Sequence, residues 1–135
     1  RPAEEDQTVF IGMDAPHLSP ELLLAAWEHL NLVAAVLGPC EDGGFYLMGV
    51  RGQLPSGSLR EIRWSTSNAL ADTREALERC GLGCWLLPTG YDVDDLPALC
   101  RLIGDLPALA PDSLAHTRAI LRELRLSRRS ADAVT

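Results

Sequence analysis

Hydrophobic positions along this chain fall into short runs separated by stretches of helical spacing. The first run, Val9-Phe10-Ile11, reads as a strand that turns at Gly12 and delivers Asp14 at its carboxyl end, with Pro16 stiffening the turn. Ser19 then stands where a helix N-cap belongs, followed by Pro20 at the first helical position and Glu21 in the first turn. Leu23, Ala26, Trp27 and Leu30 recur on one helical face, which predicts Trp27 in the core, His29 in solvent and a stop at Asn31. The unbroken run from Leu32 to Leu37 ends at Gly38-Pro39 and has the character of a strand covered on both faces. Phe45 to Val50 is a further strand.

The second half continues the alternation. Arg51 to Arg63 is irregular and rich in Gly, Pro and Ser, the composition of a surface excursion. Hydroxyls in Trp64-Ser65-Thr66-Ser67-Asn68 suit the start of a helix that runs to about Arg79, with Leu70, Thr73, Ala76 and Leu77 inward and Gly81 as its C′ glycine. Trp64 just ahead of it reads as a hydrophobic staple, with a ligand platform as the alternative. Cys84 to Pro88 is the last strand, Asp95 caps a short helix through Ile103, and a final helix from about Asp112 to Leu126 sets Leu114, Leu121 and Leu124 on one face. The pattern predicts an α/β domain over residues 9–126, with a mostly parallel or mixed sheet flanked by helices. Residues 1–8 form a flexible acidic start and 127–135 a flexible tail.

Composition narrows the function. With 135 residues, 47% apolar and 23% charged, the chain can bury one ordinary core. A net charge of −7 argues against general nucleic-acid or anionic-membrane binding. All 12 basic residues are arginine, which excludes a lysine Schiff base and a phosphate-binding P-loop lysine. No apolar run approaches the about 20 residues of a membrane span, and the start has no signal-peptide core. The reading is a soluble, cytoplasmic protein, mature or cut from something longer. Cys40, Cys80, Cys84 and Cys100 form no Cys-x-x-Cys pair and are expected as reduced, mostly buried thiols.

Acidic residues gather after the strands: Asp14, then Glu41-Asp42, then Asp92, Asp94 and Asp95. In open α/β sheets, ligands bind beyond the carboxyl ends of strands, and an oxygen-only donor set favours Mg2+ or Mn2+ over zinc. Gly43 and Gly44 after Asp42 allow a positive φ and a close approach by a ligand or another backbone. Asp-Gly is equally a hairpin signal, so both readings of this loop stay open.

Four motifs stand in one order: Ile11-Gly12-Met13-Asp14-Ala15-Pro16-His17-Leu18; Gly38 to Gly49; Ile62-Arg63-Trp64-Ser65-Thr66; and Tyr91-Asp92-Val93-Asp94. Together they resemble the bacterial glycosyltransferase-like family called selenodomain-associated transferases. These are nucleotide-diphospho-sugar transferases of the GT-A fold, related to the molybdenum-cofactor nucleotidyltransferases. The resemblance runs from Val9 to about Leu126. It implies Asp14, Asp92 and Asp94 as metal ligands, Asp42 as the catalytic base with Glu41 beside it, and Gly43, Gly44, Tyr46, Trp64, Ser65, Thr66 and His17 around the substrate. The implied chemistry is attack by an acceptor on a nucleotide-linked group, assisted by Mg2+ or Mn2+.

The chain departs from the family in places. Ala15 replaces a small hydroxyl or thiol residue, and Asp95-Leu96-Pro97 replaces Thr-Pro-Glu, which shifts the proline at the last helix start. Nothing corresponds to the family's N-terminal half, which holds the nucleotide. The resemblance therefore implies the acceptor-side half of a GT-A fold, acting on a nucleotide-sugar or nucleotide donor and a small acceptor. The strand at Val9–Ile11 would then be an apolar edge covered by a second copy or by a chain carrying the other half. The alternative is a non-catalytic remnant that serves as a dimerisation or partner-binding module.

Overall fold

The computed structural model describes residues 6–124. They divide after Tyr91 into two compact units. The first holds β1 (Gln7–Ile11), α1 (Pro20–His29), β2 (Ala35–Pro39), β3 (Phe45–Arg51), α2 (Ala69–Arg79) and β4 (Cys84–Leu86). The second holds α3 (Leu96–Asp105), a 3-10 turn (Leu106–Ala108) and α4 (Ala115–Glu123).

The sheet runs β1-β3-β2-β4 and is mixed. β3 is antiparallel to both β1 and β2, and β4 is parallel to β2. The mixed pairing follows because the loop Cys40–Gly44 is a hairpin turn, one of its two expected readings: Cys40 N–H donates to Gly44 O, Gly43 N–H to Cys40 O, and Gly43 takes φ +88°. Because β3 returns between them, β1, β2 and β4 all point the same way. Their carboxyl ends therefore share one end of the sheet.

Alternating side chains fill two apolar layers. Val36 and Leu47 pack with Ala26 of α1 and with Leu30, its C-cap, while Ala35, Leu37, Met48 and Val50 pack with Leu77 of α2. Ser19 caps α1 as its sequence predicts, accepting from Leu22 N–H. α2 closes with Gly81 at φ +69°, its N–H donating to Glu78 O and the next, that of Leu82, to Leu77 O, so a pair of hydrogen bonds at the terminating glycine satisfies two of the last carbonyls.

In the second unit Asp95 caps α3 through Ala98 N–H at 2.8 Å, so Pro97 is accommodated in the first turn. Leu102, Ile103, Leu106 and Leu121 form its core. Arg118 ties the turn to α4 by donating to the carbonyls of Leu106, Ala110 and Ser113.

Several expectations need correction. Trp27 is 45% exposed, because β1 is an edge strand and the helix face above it has no further neighbour among the described residues. His29 is half-buried and stacks on Trp85, centroids 4.3 Å apart. The second strand starts at Ala35, since Asn31 to Val33 form a turn held by the carbonyls of α1. Leu114 takes the left-handed φ of 54° and delays α4 to Ala115, and Leu124 is exposed. Gln7 and Thr8 belong to β1. Residues 1–5 and the tail 127–135 lie outside the described residues.

Candidate functional site

Tyr46 organises the carboxyl end of the sheet. Its main-chain carbonyl accepts from Gly12 N–H, which fixes the turn after β1, at 2.9 Å. Its buried ring lies against Gly38 of β2 so closely that a Cβ on Gly38 would stand 2.5 Å from Cζ, and one on Gly90 3.1 Å from the ring. Its hydroxyl donates to Pro88 O at 2.8 Å. Burial first, and the electrostatic influence of the nearby Cys40 second, push the phenol above its ordinary 10.0.

Beyond β4 the pairing with β2 resumes. Gly90 N–H donates to Pro39 O at 2.8 Å, and Glu41 N–H to Gly90 O at 3.0 Å. This brings Tyr91 to the same sheet end, where its ring stacks on His17 with centroids 4.2 Å apart. The sequence-predicted residues Asp14, His17, Glu41, Asp42, Gly43, Gly44 and Tyr46 are thus gathered at the carboxyl ends of β1 and β2 or the hairpin that follows. Asp14, Glu41 and Asp42 are exposed there, and Ala15 is buried in the core with Cys40, Tyr46 and Leu87. Asp42 accepts Gly44 N–H at 2.9 Å, so one carboxylate oxygen shapes its own turn.

Trp64, Ser65 and Thr66 lie in the segment before α2. Trp64 is 51% exposed and meets Phe45 edge-on at 6.1 Å, so its aromatic partner is on β3. Ser65 takes φ 59°, and Thr66 Oγ1 donates to Arg63 O while accepting Asn68 N–H. Tyr46, expected around the substrate, is 3% exposed and its hydroxyl bonds to Pro88. Asp92 and Asp94 open the second unit, one and three residues after Tyr91. No disulfide joins the four cysteines; Cys40 and Cys100 are buried and Cys80 and Cys84 half-buried.

Sequence reading missed the Arg63–Asp72 pair. Arg63 donates to Asp72 from its main-chain N–H at 3.0 Å, and from Nε and Nη2 at 2.9 Å each. It missed the Tyr46–Pro88 bond too. The glycines at 38 and 90, which admit the ring, were its only trace in the sequence.

Among the described residues, no helix is long and apolar enough to cross a membrane. Residues 1–66 match a family described as uncharacterized proteins conserved in bacteria, DUF2064. No curated protein matches the chain. A crystal structure of a putative nucleotide-diphospho-sugar transferase from Desulfovibrio desulfuricans superposes with a TM-score of 0.79 at 31% identity, covering 90% of this chain and 53% of that one. The chain thus spans about half the length of that relative. Its fold is the α/β fold of that portion, a mixed four-stranded sheet flanked by helices.

Proposed function

We propose that this chain is the acceptor-side part of a metal-dependent glycosyl- or nucleotidyl-transferring protein of the selenodomain-associated type. The single observation that carries this reading is the 31% identity to a nucleotide-diphospho-sugar transferase-like structure over 90% of this chain. The convergence of Asp14 and Asp42 beyond parallel-running strands supports it.

The donor set is compatible with a hard divalent cation, since Asp14, Asp92 and Asp94 offer only oxygen. When bound, Mg2+ or Mn2+ would supply charge stabilisation to a leaving diphosphate. Asp42 takes the proton of the acceptor hydroxyl as the hydroxyl oxygen bonds to the transferred group and the bond from that group to the leaving diphosphate breaks. Glu41 stands next to it. The exposed face of Trp64 offers an apolar platform for a sugar or base ring, with Ser65, Thr66 and His17 as polar contacts and the side-chain-free Gly43-Gly44 admitting a close approach. The setting is cytoplasmic, consistent with four cysteines and no disulfide.

A second reading, a partner-binding module, is favoured by one feature. Beside β1, the side chains of Val9, Ile11, Leu23, Leu24 and Trp27 line an open apolar groove of about 410 Å³. A second copy, or a chain carrying the remaining half of such a transferase, would cover it.

Calorimetric titration with Mn2+ and a panel of nucleotides and nucleotide-sugars, on the parent chain and on Asp14→Ala, tests the first reading. Metal-dependent binding lost in Asp14→Ala is expected. A folded parent chain that binds neither metal nor nucleotide would leave the second reading.

A further inference from the structure

Helix α2 begins without the cap that α1 and α3 have. Ser19 and Asp95 are extended and accept an N–H three residues on, whereas Asn68 is helical (φ −100°, ψ −4°) and its side chain makes no cap bond. The N–H of Leu70, in the first turn, donates to the main-chain carbonyl of Gly43 at 3.0 Å. The hairpin that carries Glu41 and Asp42 therefore supplies the missing cap. The two segments touch closely: Gly43 has φ +88°, and a Cβ there would stand 2.0 Å from Ser67 O. No side chain fits without moving main chain.

The far side of this contact is braced. Arg63 grips Asp72, one turn into α2, through three hydrogen bonds, and Thr66 Oγ1 bridges Arg63 O to Asn68 N–H. Segment 63–68 is thereby fixed to the helix, and Ser67 within it is the wall against which Gly43 rests.

Resting on the reading of Asp42 as the base, we propose that Gly43 is a positioning residue: its carbonyl caps α2, and the Arg63–Asp72 brace holds the acidic hairpin in place through that contact. In this arrangement its carbonyl is committed to Leu70, and the residue acts on the substrate through Asp42.

The test compares the parent chain with Gly43→Ala and Asp72→Asn by NMR. Amide exchange at Leu70 reads the cap, and exchange at Leu77, toward the other end of α2, reads general stability. In Gly43→Ala, Leu70 should lose about tenfold more protection than Leu77. In Asp72→Asn the loss should have the same sign and be smaller. A loss at Leu70 that only tracks Leu77 in both variants overturns the proposal, and if Gly43→Ala does not fold, Asp72→Asn decides it alone. Broadening of amides by Mn2+ separates this from the metal reading. If the parent chain shows none, the metal reading fails while the exchange comparison still stands. If it shows broadening, the ratio of the effect at Asp42 to that at Gly12 should change in Gly43→Ala, and an unchanged ratio overturns positioning.

Discussion

The Tyr46 hydroxyl donates to the Pro88 carbonyl, 42 residues further along the chain, at 2.8 Å. That bond joins β3 to the segment leading out of β4, across β2. The glycines at 38 and 90 leave room for the ring between them. One residue, through its main-chain carbonyl and its side chain, therefore ties together the turn after β1, β2 at Gly38 and the approach to Tyr91.

Tyr46→Phe keeps the ring and removes the bond. It leaves Pro88 O short of a partner, so stability should fall by about 1 kcal/mol in urea unfolding. The pH profile should change as well. Burial raises the phenol above 10.0, so the unfolded chain loses that proton first and parent-chain stability declines as pH rises past that value. The variant should lack this alkaline component. An identical slope in both proteins above pH ~10 would contradict the assignment.

Asp72 predicts the acid side. Its hydrogen bonds from Arg63 hold the carboxyl at about 2, below the ordinary 3.8. A depressed carboxyl stabilises the fold above its unfolded value and loses that contribution as pH falls toward its folded one. The parent chain should therefore lose stability between 3.8 and about 2 more steeply than Asp72→Asn. Thermal unfolding at successive pH values checks this, and raised salt should shrink the difference because the pair lies at the surface.

The edge strand gives a third prediction. β1 reads Gln-Thr-Val-Phe-Ile with no charge, and Phe10 and Ile11 are 61% and 53% exposed. Natural edges are usually guarded by charge or proline. Sedimentation at rising concentration should show self-association of the parent chain, weakened in Ile11→Lys. A parent chain that stays at 14.7 kDa would remove the second copy as the cover for this edge.

Local rules were legible where the chain satisfies itself locally. Ser19, Asp95 and Gly81 each end or begin a helix by contacts within a few residues, and each stands where its type predicts. The α/β class and the carboxylates at strand ends were likewise readable. Trp27 and His29 were not, because helical spacing says which face is apolar and not whether anything lies opposite it. The strand order was not readable for a related reason: an Asp-Gly turn and an apolar run cannot say which strand slots between which. The cap on α2 was invisible because Asn68 is a good cap by type, while the carbonyl that does the task belongs to Gly43, 27 positions earlier than Leu70. Arg63 and Asp72 are nine apart with a turn between, a spacing that no periodic pattern marks.

The direction shared by β1, β2 and β4 also divides the first unit into an end that carries the acidic loops and a handle. The opposite end carries the turns at Asn31–Ala34 and Cys80–Gly83, and none of the acidic residues discussed above lies in them. A half-buried thiol, Cys80, stands at that end, while Cys40 at the other is sealed in the core. A dye or spin label on Cys80, or a surface tether through the same turn, would leave the hairpin and its supports untouched. The protein could then be immobilised and watched while metal, nucleotide or partner is offered to the other side.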